Sequence, residues 1–148
     1  MAAPSPLPPA FETWFASRGW SARPHQLALL EEARAGRSTL LVAPTGAGKT
    51  LAGFLPSLVE LSQRDGKREG LHTLYLSPLK ALAVDIARNL EAPIREMGLP
   101  IAVETRTGDT SAAKRTRQIR TPPDILLTTP EQLALLVSHR DAAPFFAS

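Results

Sequence analysis

At 148 residues, with 43% hydrophobic and 21% charged side chains, the chain has room for one domain with a real core and is crowded for two. Seventeen basic against 14 acidic residues leave a net charge of +3 and a pI near 9.8, a balance that permits nucleic acid as a partner without demanding it. The absence of cysteine excludes disulfides and thiolate metal sites, and no apolar run approaches the roughly 18 residues of a membrane span, so a cytoplasmic protein is expected.

Met1 to Pro9 holds four prolines, and residues 1–10 are expected to form a disordered or extended leader. Phe11, Trp14 and Phe15 then recur at helical spacing, and Ser17-Arg18-Gly19 ends that short helix. Pro24 opens a second helix with Leu27, Leu30 and Ala33 on one face and Gly36 closing it, so that residues 11–36 read as a helical segment ahead of a main domain over 37–148.

The main domain begins with an apolar run, Thr39 to Val42, followed by Ala43-Pro44-Thr45-Gly46-Ala47-Gly48-Lys49-Thr50 and then Leu51 to Leu55. This reads as strand, tight glycine loop and helix, the layout of a phosphate cradle. Backbone N–H groups converge on a triphosphate only where side chains do not obstruct, hence Gly46 and Gly48, and the helix that follows presents free N–H groups and its positive dipole end to an anion. Thr45, Gly46, Ala47 and Gly48 are thus candidate nucleotide-binding residues. Lys49 reaches the β- and γ-phosphates, and the Thr50 hydroxyl is placed to hold Mg²⁺ beside ATP.

The helix after the loop extends to about Gln63, burying Phe54, Leu55, Leu58 and Leu61, with Pro56 removing one of its hydrogen bonds. A polar loop, residues 63–70, leads to a second strand over 71–76 that ends at Ser77-Pro78. A helix from about Leu79 to Asn89 carries Leu82, Val84, Ile86 and Leu90 and is broken or kinked at Pro93. A third strand, 101–105, runs into Arg106-Thr107-Gly108-Asp109-Thr110, and a polar segment with Lys114, Arg115, Arg117 and Arg120 follows. Asp124 to Leu127 is a fourth strand, Thr128-Thr129-Pro130-Glu131 its exit, and 132–138 a helix. Strand and helix alternating in this way predict an α/β fold, a parallel sheet with helices on both faces, in which ligands sit beyond the carboxyl ends of the strands.

Taken together, these motifs resemble the first RecA-like domain of a superfamily 2 DEAD/DEAH-box helicase. Ala43 to Thr50 resembles motif I, Pro24-His25-Gln26 the Q motif, Ser77-Pro78-Leu79-Lys80 motif Ia, and Thr128 to Glu131 motif Ib. Arg106 to Thr110, with Gly19-Trp20 near the Q motif, narrows the likeness to Lhr-like DNA helicases of the ligase-associated, DNA-damage-response type. The resemblance implies an ATP-dependent DNA helicase or translocase, moving 3′ to 5′, with ATP and Mg²⁺ as cofactors. Its partner would be single-stranded or partly duplex DNA, with RNA as another possibility and a DNA ligase or nuclease as further partners.

By the same resemblance Gln26 reads the adenine edge. Ser77, Pro78, Leu79, Lys80, Arg106, Gly108, Asp109, Thr128, Thr129, Pro130 and Glu131 contact nucleic acid, with hydroxyls and free N–H groups suited to phosphates. Trp20 either stacks on the base or, as favoured here, anchors the first helix in the core. The basic residues from Lys114 to Arg120 either track phosphates or form a solvated face. His25, His72 and His139 show no metal spacing, and Asp85 and Glu91 no pairing that would make them catalytic. No aliphatic run leads into the Asp-Glu-x-His of motif II, so the chain reads as a RecA-like domain truncated before that strand and inactive alone. Rival readings are a P-loop phosphotransferase or small NTPase acting on a small molecule, and a non-catalytic nucleotide- or nucleic-acid-binding module.

Overall fold

A computed structural model describes residues 5–46, 48–66 and 70–147. In chain order the elements are α1 (Pro9–Ser17), α2 (Pro24–Arg34), α3 (Lys49–Ser62), β1 (Thr73–Leu76), α4 (Lys80–Glu96), β2 (Val103–Arg106), α5 (Ala112–Arg120), β3 (Ile125–Thr128), α6 (Pro130–Val137) and α7 (Ala142–Phe146). The three strands form one parallel sheet in the order β1-β3-β2. Alternation along β3 divides the interior in two. Ile125 and Leu127 face a cluster built by α1 to α4, whereas Leu126 faces Leu136 and Phe145 with Ile119 beside them. Helices therefore cover both faces, and β3, flanked on each side by a strand, is buried throughout.

Each helix has a local cause. Proline supplies the first turn of α1, α2 and α6, where its fixed φ suits the helix and its missing N–H costs nothing. Phe11, Trp14 and Phe15 are the buried stripe of α1. Pro56 and Pro93 lie inside α3 and α4 without ending them. Leu55, Leu58 and Val59 are buried around the first, and Pro93 and Ile94 are themselves buried, so packing outweighs the lost ladder bond. The expected break at Pro93 is corrected on that ground, and the buried face of α4 runs through Ala83, Ile86, Leu90 and Ile94 while Leu82 is exposed.

Three further expectations are corrected. The leader is not loose from Leu7 onward: Leu7 is buried in the main cluster, and Arg34 Nη2 donates to the Pro6 carbonyl at 2.7 Å. Met1 to Pro4 lie outside the described residues. The polar segment after β2 is a helix, α5, whose N-cap Ser111 accepts from the Lys114 amide at 3.2 Å. Thr39 to Val42 pairs with no strand among the described residues, and Leu40 and Val42 are 87% and 84% exposed. An apolar run becomes a strand only where a neighbour accepts its hydrogen bonds, and none of β1, β2 and β3 lies beside it.

The end of α4 holds α1 in place. Trp14 Nε1 donates to Glu96 Oε2 at 2.7 Å, and the Arg18 guanidinium pairs with the other carboxylate oxygen. The Arg18 hydrogen bond, with that of Trp14 second, holds the Glu96 carboxyl below its ordinary range. A carboxyl depressed on folding contributes stability above its unfolded value, about 4.3, and loses it as pH falls through the folded value. Glu96→Gln is therefore expected to flatten the acid limb of the urea-midpoint profile below about pH 4.3. Parallel acid limbs in parent and variant would contradict the linkage.

Candidate nucleotide and nucleic-acid site

The chain reaches the glycine loop from the unpaired segment and turns at Thr45-Gly46, with Gly46 at φ +82°. Gly48 is the N-cap of α3 at φ +76°, in the left-handed region, and no side chain caps the helix. Glycine is required at Gly48 by its left-handed conformation, and a Cβ there would also meet Gln26 Nε2 at 2.8 Å and displace that side chain. The first ladder bond of α3 is Ala52 N–H to the Gly48 carbonyl. The amides before it belong to an uncapped helix start, where the positive dipole end is directed outward. Lys49 and Thr50 are both exposed at this start. Ala47 lies outside the described residues.

Gln26, the expected adenine reader, has its side chain engaged within the protein. It is buried at the third position of α2, where Oε1 accepts from the Arg23 amide at 2.8 Å and Nε2 donates to the Gly48 carbonyl at 3.4 Å. Its amide thus satisfies the N-cap amide of α2 and ties α2 to the glycine loop. Beside it opens a cleft of about 740 Å³, lined by Trp14, Arg18 and Trp20 and by Gly46, Gly48 and Thr50. Trp20 is 54% exposed, which corrects the favoured reading of it as a core anchor. Its ring meets Trp14 edge-on at 5.9 Å, and the Arg18 guanidinium lies 5.5 Å and 5.7 Å from the two ring centres. Uncapped amides, an ammonium and a hydroxyl next to a roomy aromatic-walled cleft fit a nucleotide polyphosphate with its divalent cation.

The three strand exits stand in register, since Leu76 and Arg106 both pair with Thr128. The side chains expected to contact nucleic acid from this edge divide into two groups. Pro78, Leu79, Lys80, Gly108, Asp109, Pro130 and Glu131 are exposed. Ser77, Arg106, Thr128 and Thr129 are buried and bond within the protein, with Arg106 Nε left buried and without a hydrogen-bond partner. Ser77 Oγ donates to the Leu79 carbonyl and accepts from the Leu79 amide, a local turn. Thr128 Oγ1 donates to the Arg106 carbonyl at 2.6 Å, and the Thr129 hydroxyl donates to Glu131, holding that carboxyl below its usual range. Arg106, 5% exposed, donates from Nη1 to the Arg115 carbonyl at 3.1 Å and to Gln118 Oε1 at 3.2 Å. Burial, with the neighbouring Arg115 charge second, pulls its guanidinium below the ordinary value. The side chains of Ser77, Arg106, Thr128 and Thr129 thus frame the edge through internal hydrogen bonds. A hollow of about 530 Å³ opens between α4 and α5, lined by Lys80, Asp109, Ser111 and Lys114, and Lys80 is ion-paired with Asp109 across it.

The basic residues of α5 are not one patch. Arg117 pairs with Glu104 at 2.6 Å, and Lys114 lines the hollow. Arg115 is turned inward, donating to the Thr107 and Thr110 carbonyls and to Gln132. Arg115, Gln118 and Gln132 are the structural polar residues that sequence reasoning missed. Helical spacing offered a signal, since Arg115, Gln118 and Ile119 fall on one side of a turn. Among the described residues no group of three His, Asp or Glu side chains is placed to hold a metal ion. His72 instead shares a hydrogen bond with the Thr73 hydroxyl at 2.7 Å. No described helix is long and apolar enough to cross a membrane.

The family model described as DEAD/DEAH box helicase matches residues 23–146. The chain is 43% identical over 138 residues to the Lhr helicase/probable uracil glycosylase of Mycolicibacterium smegmatis, a match covering 84% of this chain and 9% of that protein. Among solved structures, the Mycobacterium smegmatis helicase Lhr bound to ssDNA and AMP-PNP superposes with a TM-score of 0.78 at 39% identity, covering 91% of this chain and 18% of that one. The DUF1998 helicase MrfA bound to DNA and AMPPNP superposes at 0.83 with 34% identity, covering 99% and 20%. The chain thus spans a small part of the length of each. Its parallel sheet with helices is the α/β fold of these RecA-like helicase domains.

Proposed function

Because the chain belongs to the DEAD/DEAH box helicase family, we propose that it is the ATP-binding part of an ATP-dependent DNA helicase or translocase. The observation that carries this reading is the start of α3, an uncapped helix behind a left-handed Gly48, with Lys49 exposed and Thr50 lining the aromatic cleft. Gly46, Ala47, Gly48 and Lys49 would hold the phosphates, with Thr45 at the turn, and Thr50 would hold Mg²⁺ through its hydroxyl. The metal supplies neutralisation of phosphate charge when bound. Trp20 gives the base a flat wall, and Gln26 keeps the loop seated against α2.

The exposed residues of the strand exits, from Pro78 to Lys80, Gly108 and Asp109, and Pro130 and Glu131, would meet a nucleic-acid backbone without reading its sequence. Two free helix starts there, α4 and α6, lack side-chain caps and suit phosphates. Movement 3′ to 5′ along DNA, a role in DNA repair and cooperation with a DNA ligase or nuclease extend the proposal on the family resemblance. The test is ATP hydrolysis by the full-length protein with and without single-stranded DNA. Stimulation of about tenfold or more by DNA, with none by small phosphate acceptors, is the expected result. Stimulation by a small acceptor alone would replace this reading with a phosphotransferase.

A further inference from the structure

Arg115 sits in the middle of α5, yet its guanidinium serves two other elements. Nε donates to the Thr110 carbonyl at 2.9 Å and Nη2 to the Thr107 carbonyl at 2.6 Å, both in the loop after β2. Nη1 donates to Gln132 Oε1 at 2.7 Å, and Gln132 is buried in the first turn of α6. Arg115's own carbonyl accepts from Arg106, and the carbonyl of Arg106 accepts from Thr128, so the clamp is continuous with the ends of β2 and β3. A planar fork with five donors can hold three acceptors in fixed directions, whereas a lysine is a single rotating point charge.

We infer that Arg115 is a positioning residue, which locks the 107–110 loop against the first turn of α6 so that Gly108, Asp109, Pro130 and Glu131 form one pre-set surface for a nucleic-acid strand. The inference rests on the proposed reading of these exits as nucleic-acid contacts. A loop already held in its bound arrangement does not lose that ordering entropy on binding, so loosening the clamp weakens the DNA response while leaving nucleotide handling at α3 alone.

The experiment uses the full-length protein and oligothymidylate. It measures the DNA concentration for half-maximal ATPase stimulation, the KM for ATP, and kcat at saturating DNA. Arg115→Lys is expected to raise the half-maximal DNA concentration about tenfold, with KM for ATP and saturated kcat within about twofold of the parent. Gln132→Ala is expected to give a smaller shift in the same direction, and the double variant to be no worse than Arg115→Lys alone, because both remove one shared bond. An unchanged DNA concentration in Arg115→Lys, a KM for ATP rising in equal proportion, or fully additive effects would each overturn the inference. If the parent itself shows no response to DNA, the reading of the exits fails and the inference falls with it. A responsive parent with an indifferent Arg115→Lys overturns the inference alone.

Discussion

Lys49→Ala is expected to lower DNA-stimulated ATP hydrolysis by the full-length protein about 10²- to 10³-fold, and strand separation with it, while DNA binding without nucleotide stays within about threefold. The expectation follows from position. Lys49 is the first residue of α3, directly after the left-handed Gly48, and it is exposed. Among the described residues no carboxylate pairs with it, so its ammonium carries no part of the fold. Its loss removes one charge from the uncapped amides and leaves the packing of Ala52, Leu55 and Leu58 behind them untouched. Steady-state hydrolysis at saturating DNA is the measurement, with the unfolding midpoint as its control. A variant hydrolysing ATP at the parent rate would remove the basis of the proposed function.

Asp124→Ala is expected to cost about 2–4 kcal/mol of stability, read as a lower urea midpoint at unchanged m. Asp124 is 2% exposed at the entrance of β3 and gathers the starts of all three strands. Its Oδ2 accepts from the Ala102 amide at 2.7 Å, and its own amide donates to the Ala102 carbonyl at 2.9 Å, just ahead of β2. Its carbonyl accepts from the His72 and Thr73 amides at the start of β1. Oδ1 lies 3.6 Å from Arg64 Nη1, and the Arg64 side chain as a whole is partly exposed, which keeps the figure below that of a fully buried pair. Asp124→Asn, which retains an acceptor for Ala102, is expected to recover part of the loss. A cost under about 1 kcal/mol would show that the backbone bonds alone hold the strand entrances.

The parts of the fold legible in the sequence were those whose own side chains decide them. Phe11, Trp14 and Phe15 at helical spacing sufficed for α1, and the Leu126-centred apolar run sufficed for a buried strand. The glycine loop was legible because φ +76° at Gly48 is a demand on residue type. What escaped depended on partners. Thr39 to Val42 has strand composition but no neighbour among the described residues, and composition does not supply one. The helix α5 has no apolar stripe to betray it; its inner face is filled by Arg115 and Gln118, polar groups satisfied by carbonyls and by Glu104. Arg106 and Thr128 carry donors at strand exits, the sequence signature of phosphate contacts, but in the fold the Thr128 hydroxyl donates to the Arg106 carbonyl and Arg106 Nη1 to the Arg115 carbonyl and Gln118 Oε1. Gln26 stood out as an isolated polar residue, and its burial beneath Gly48 gave it a different task.

The cleft beside the glycine loop has one more property. Trp14 and Trp20, the chain's two tryptophans, both line it, one anchored through its indole N–H to Glu96 and the other half-open to solvent. Intrinsic indole fluorescence of this chain therefore originates at a single wall of a single site. Emission intensity and wavelength become a built-in optical probe of that wall, with no dye or label required.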